Sequence, residues 1–325
     1  MAGRLRDGAS GRPSWRSAAF VALLCAAYVA AAWWIDRSNG AFQRLAGLAL
    51  PLALAAPAVM TTYLARYWRW NWLLHRQGHR LAWRRGLVAY LAGFALTATP
   101  GKAGELLRLR YFAQVGVPVE RSLAAFVFER ASDLLVILLL SLLAAPVFPA
   151  LGALAAVVLI FVGVLFCMAA WPAGLRTAAT LAQRLPFAWL RRWVAFSLGA
   201  AHEFGLCLGP ASFARSLLAG LVAWGLTSAV FLWICANLGI SLPPMVGWGI
   251  YPLAMLVGAL SFVPGGVGTT ELAIVVMLQR LDVSAPEAWA AAIGVRLVTL
   301  WFAMGTGAVA LLWLELGTPL ASDCT

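Results

Sequence analysis

The chain has 325 residues, of which 63% are hydrophobic and 11% charged, and its formal net charge is +12. Soluble domains carry about 25% charged residues, so this composition excludes an ordinary soluble globular protein and predicts an all-α, polytopic membrane protein. The positive charge is then read as membrane topology and contact with anionic lipid rather than nucleic-acid binding, because Lys and Arg are held on the cytoplasmic side.

Residues 1–17 carry Arg4, Arg6, Arg12 and Arg16 among Gly, Ser and Pro and read as a cytoplasmic basic tail. A first span follows at 18–35, a stretch that also fits a cleaved signal peptide. A second span is expected at about 45–65, then a basic, Trp-rich loop from Arg66 to Arg85 at the cytoplasmic interface. Residues 86–99 form an apolar run of only 14 residues, too short for an ordinary span and suited to a re-entrant segment. Pro100 and Gly101 end it, and residues 103–115 are expected to leave on the same side, keeping Arg108 and Arg110 near water. Spans at 122–146 and 150–171 come next, then an interfacial amphipathic helix pair in 172–212 and a span at 213–237. A second hairpin, 246–263 and 270–281, turns at Pro264, and the last span is 288–315, followed by a tail at 316–325. The expected fold is one domain over 18–315 with about six full spans and two re-entrant helical hairpins. This threading places nineteen of the 24 Lys and Arg in the cytoplasm with both termini, three outside (Arg37, Arg44, Arg280) and two within the membrane.

One segment occurs twice. The first copy is Pro100-Gly101-Lys102-Ala103-Gly104-Glu105, with Arg130 25 residues after the glutamate. The second is Pro264-Gly265-Gly266-Val267-Gly268-Thr269-Thr270-Glu271, with Arg296 again 25 residues on. Aligned from the two glutamates, residues 105–134 and 271–300 agree at seven of thirty positions. The first hairpin enters from the cytoplasm and the second from outside, so repeat A (about 45–146) and repeat B (about 213–315) are expected to be inverted. Gly- and Pro-broken segments at matching positions of two halves point to a transporter's binding site.

Arg130 and Arg296 fall within apolar spans. A central Arg is expensive in a bilayer, about 2.5–3.5 kcal/mol on insertion scales, and marks an ion pair or a polar cavity. Glu129 and Asp133 share a helix face. Glu105 and Glu271 open the short helices, where a carboxylate is favoured by the helix dipole. Two readings stand open: buried ion pairs that lock the halves together, or a midplane site in which Arg130 and Arg296 take a phosphate bidentately. Lys102 is either a solvated loop residue or a further cation at the cytoplasmic mouth. Gly101, Gly104, Gly265, Gly266 and Gly268 permit sharp turns. Cys25, Cys167, Cys207, Cys235 and Cys324 are scattered, and His75 and His79 lie among Arg and Trp, so no metal or cofactor is expected.

The paired motifs, with Glu129-Arg130-x-x-Asp133, resemble the lysylphosphatidylglycerol synthase transmembrane-region family, also called the flippase-like membrane domain family, over roughly residues 15–315. The resemblance implies a multi-pass protein of the bacterial or archaeal inner membrane. Its relatives include the flippase domains of multiple peptide resistance factors and proteins linked to glycolipid or hopanoid handling. The chain stops at Thr325 with no soluble synthase domain in view, so synthase activity is not expected. Expected partners are membrane lipids, either anionic phospholipid or lipid-linked glycan, and a separate lipid-modifying enzyme. The main expectation is a lipid flippase. The alternatives are a soluble-solute transporter, a non-catalytic membrane partner and a transferase on a lipid-linked substrate, for which no nucleophile–base set stands out.

Overall fold

The computed structural model describes residues 41–99, 104–183, 186–206 and 208–316. The basic tail, the first span, the 316–325 tail beyond Leu316 and the first hairpin tip at Pro100, Gly101 and Lys102 lie outside the described residues.

Every regular element described is helical. Helices α1 (Ala41–Ala46) and α2 (Ala49–Arg76) lead into α3 (Trp83–Ala92), which a 3-10 turn, Gly93–Leu96, prolongs. Then come α4 (Leu107–Gln114), α5 (Val119–Ser141), α6 (Leu151–Ala169), α7 (Pro172–Ala182) and α8 (Ala188–Leu206). The last third holds α9 (Pro210–Asn237), α10 (Pro244–Leu260), α11 (Thr269–Gln279), α12 (Ala285–Arg296) and α13 (Phe302–Leu316). A π-helical turn, Leu297–Trp301, joins α12 to α13 into one continuous helix of 32 residues.

Three helices are long and apolar enough to cross a membrane: α2, α9 and the joined α12–α13. At 1.5 Å per residue, 28 residues of α2 or α9 reach about 42 Å, beyond the roughly 30 Å of a hydrocarbon core. Residues 153–168 and 173–182 form a bent pair, at 81°, that makes up to a fourth. Helix α5 is also 23 residues long but carries Glu120, Arg121, Glu129, Arg130 and Asp133. The outer faces suit lipid: Leu50, Leu54, Ile160, Phe161, Leu312 and Trp313 are all more than half exposed. In water such surfaces would associate.

Helices α2 and α9 form the central pair. Helix α3 packs with α4, and α10 with α11, so two helical hairpins are present. Each hairpin leans on the other end of the chain: α3 and its 3-10 extension lie on α13, while α10 lies on α5. The first of these contacts is close because Gly307 of α13 has no side chain. A Cβ there would stand 2.6 Å from the carbonyl carbon of Phe94 and 2.9 Å from Ala95 Cα.

Two expectations are corrected. The Trp-rich stretch from Arg66 is not a loop: α2 runs on to Arg76, and Arg69 and Trp70 are buried. Arg108 likewise does not face water, being fully buried on α4. The physical reason is shared, since both arginines find carboxylate partners on α5 inside the bundle. Three of the nineteen cations assigned to the cytoplasmic face, Arg66, Arg69 and Arg108, are therefore interior charges.

Candidate functional site

Arg130 and Arg296 each stand eleven residues beyond the first residue of their helix, α5 and α12. That is about 16 Å along the axis, close to the middle of a bilayer core. Both guanidinium groups line one cavity of about 90 Å³, together with Arg66, Glu105 and Gly265. The rest of its wall is aromatic and hydroxylic, with Tyr63, Phe94, Trp224, Tyr251, Thr97 and Thr299, and in part aliphatic, with Val59, Met255 and Leu300.

The second hairpin tip is built by its glycines. Gly265, Gly266 and Gly268 have φ of 62°, 63° and 83°, the left-handed region where a side chain is strained. This sharp reversal lets the Gly268 N–H donate to Glu271 Oε2 at 2.8 Å, closing the N-terminus of α11. The other carboxylate oxygen, Oε1, accepts from Arg296 Nε at 2.9 Å. Arg296 Nη2 donates to the Gly265 carbonyl at 2.5 Å, and Nη1 reaches only the Met255 sulfur, at 3.8 Å, among the described residues. The tip also meets the end of the first hairpin, where a Cβ on Gly265 would lie 3.1 Å from Ala98 Cα.

The charges around Arg130 are denser. Glu129 Oε1 accepts from Tyr90 Oη at 2.6 Å and Arg69 Nη2 at 3.0 Å, and Oε2 accepts from Arg108 Nη2 at 3.0 Å. Asp133 is paired with Arg66 at 2.7 Å and Arg69 at 2.8 Å. Arg130 itself stands 3.3 Å from Glu129, 3.6 Å from Asp133 and 3.8 Å from Glu105. Glu105 accepts a hydrogen bond from Thr97 Oγ1 at 2.5 Å. Gly104, just before it, packs so closely on the Leu96 carbonyl that a side chain would overlap it.

Aromatic faces complete the network. The Arg108 guanidinium carbon lies 4.2 Å from the Trp70 ring centroid and 4.6 Å from that of Tyr90, and Arg66 lies 5.0 Å from Trp224. Cation–π contacts of this kind strengthen when desolvated.

Of the sequence candidates, Arg130, Arg296, Glu105 and Gly265 come together at the cavity. Glu129 and Asp133 sit behind its wall, holding arginines, and Glu271 backs Arg296. Sequence reading missed Arg66, Arg69 and Arg108 as interior charges. Their signal was Arg66 and Arg69 three residues apart on one helix face, opposite a span carrying two carboxylates four residues apart.

A many-helix bundle with apolar outer faces and a charged interior defines a multi-pass membrane protein. Residues 18–307 match the family described as the lysylphosphatidylglycerol synthase TM region, and the chain belongs to that family. No curated protein matches the sequence.

Proposed function

We propose that this protein is a lipid flippase of the bacterial or archaeal inner membrane. It moves a polar, phosphate-bearing lipid between leaflets rather than catalysing a reaction, and its termini are cytoplasmic. The observation that carries this reading is that Arg130 and Arg296, from the two motif copies, open on one interior cavity. Arg is suited to hold phosphate because its planar fork gives two parallel hydrogen bonds. Acyl chains stay in the bilayer while the head group enters.

The packing supports two inverted halves. Exchanging α2 with α9, α3 with α10, α4 with α11 and α5 with α12–α13 carries the hairpin contacts onto one another: α3 on α13 becomes α10 on α5. Rocking of such halves about a fixed site is the ordinary route to alternating access. Membership of a lipid-associated family favours a lipid over a soluble solute. A separate lipid-modifying enzyme would supply or consume the cargo.

The test is leaflet exchange in proteoliposomes with phospholipids and glycolipids labelled on the acyl chain. Wild type is expected to move at least one lipid well above the protein-free rate, and Arg296→Ala to return it to that rate. If both proteins leave every lipid at background, the flippase reading is wrong.

A further inference from the structure

The charges around the cavity do not balance. Among the described residues, the cluster holds five guanidinium groups, Arg66, Arg69, Arg108, Arg130 and Arg296. It holds four carboxylates, Glu105, Glu129, Asp133 and Glu271. The surplus is one positive charge. Three of the cations, Arg66, Arg130 and Arg296, reach the cavity wall, against one carboxylate, Glu105. An uncompensated charge is costly in a low-dielectric interior.

One donor on the same wall lacks a strong acceptor. Arg130 Nε and Nη2 are buried in the protein, and Nη2 is already ion-paired with Glu129 at 3.3 Å and Asp133 at 3.6 Å. Arg296 Nη1 has only the weak thioether acceptor described above. Donors in an interior are nearly always satisfied, so Arg296 Nη1 calls for an acceptor from elsewhere. Arg66 is held in place by Asp133 at 2.7 Å and by the Trp224 face, which leaves its aim at the cavity fixed.

We infer that the cavity is matched to a singly charged phosphate anion, a phosphodiester, with Arg66 as its third cationic ligand beside Arg130 and Arg296. The inference deepens the flippase reading and rests on it for the cargo being a lipid. A phosphodiester brings one negative charge and leaves the cluster neutral. A phosphomonoester, at about −1.5 to −2, overshoots. A zwitterionic ethanolamine head leaves the surplus untouched, and a lysyl ester, with its two ammonium groups, raises it. Glu105 is a poor counter-charge for an ammonium because Thr97 and Arg130 already engage it.

The experiment is native mass spectrometry of the purified full chain. It is offered equal amounts of phosphatidylglycerol, phosphatidic acid, phosphatidylethanolamine, lysylphosphatidylglycerol and a neutral glycosyl diacylglycerol with matched acyl chains. Phosphatidylglycerol is expected to be retained about tenfold over each of the others, a ratio equivalent to about 1.4 kcal/mol. Equal retention of the lysyl ester, the ethanolamine lipid or the glycolipid would overturn the inference. Glycerophosphoglycerol in solution tests the source: a lipid cargo requires that it compete poorly, and full competition assigns the site to a soluble diester. Arg66→Gln should bring the preference near parity, and Arg66→Lys should keep it. The wild-type panel decides the question even if Arg66→Gln does not fold. Leaflet exchange run on the same lipids separates the two ideas. Charge-selective binding without exchange would sink the flippase reading alone. Exchange indifferent to head-group charge would sink this inference alone.

Discussion

Arg130 and Arg296 stand at the same depth in their helices and open on the same cavity, yet their surroundings differ. Arg130 is one of four arginines sharing three carboxylates, across three helices and the short 3-10 stretch that carries Glu105. Arg296 has one carboxylate, Glu271, and a backbone carbonyl at a glycine turn. The crowded arrangement spreads each charge over several partners, so it behaves as scaffold. The spare one ties a single side chain to a hairpin tip, so any ligand that takes hold of Arg296 pulls directly on that tip.

The largest expected effect tests the crowded side. Glu129→Ala takes the close carboxylate from buried Arg108 and leaves buried Arg69 with Asp133 alone. Removing one partner of a buried pair costs about 3–5 kcal/mol. The variant should unfold at a markedly lower temperature in detergent or fail to accumulate. A shift no larger than that of Glu271→Gln would break the comparison.

Glu271→Gln comes second. It keeps the size of the side chain but removes the charge that holds Arg296 and closes α11. A hydrogen bond to a charged group is worth about 1.5–3 kcal/mol. Leaflet exchange is expected to fall more than stability does, and thermal unfolding beside an exchange assay measures both.

Gly265→Ala sharpens the role of the tip. Alanine at φ 62° costs about 1–2 kcal/mol, and its methyl would press on Ala98 at 3.1–3.2 Å. The expected result is weaker contact between the hairpin ends and a lower exchange rate with Arg296 still in place. Gly305→Ala is the control: nothing lies within 4 Å of a Cβ there, so it should be tolerated.

The smallest effect lies beyond the membrane core. His79 follows α2 and faces Arg121 of α5, whose Nη1 stands 2.7 Å from its Nε2, while Arg121 Nε is 3.5 Å from Glu203. Burial and the Arg121 guanidinium lower the His79 pKa below 6.5. The folded protein therefore prefers His79 neutral. Its contribution is present above pH 6.5 and is lost as pH falls through the unfolded and then the folded pKa. Wild type should lose slightly more stability between pH 7.5 and 5.5 than His79→Gln; equal losses would remove His79 from the account.

Much of this was legible in the sequence, for reasons that also explain the failures. The second Pro-Gly segment announces itself because its left-handed turns demand glycine, and Arg130 and Arg296 because charge inside an apolar run is rare. Helices α9, α10 and α11 follow their apolar runs closely. Arg66, Arg69 and Arg108 were misassigned because an Arg at the edge of an apolar run ordinarily marks the interface. Their partners, Glu129 and Asp133, sit at least 21 residues away in sequence, so only the packed bundle pairs them. The π turn after Arg296 left no mark at all, since Leu297-Val298-Thr299-Leu300-Trp301 has the composition of any apolar helix.

That turn has a mechanical consequence. Each residue of an α-helix advances about 100° around the axis. The additional residue in the wide turn rotates everything after Trp301 by roughly that amount relative to an unbroken helix. Arg296 can therefore point at Glu271 while Gly307, on the far side of the turn, sits against Ala95. Shortening the turn by one residue would heal the helix and force one of those two engagements to let go. The long last helix thus works as two phased segments joined by a clutch, one gripping each hairpin.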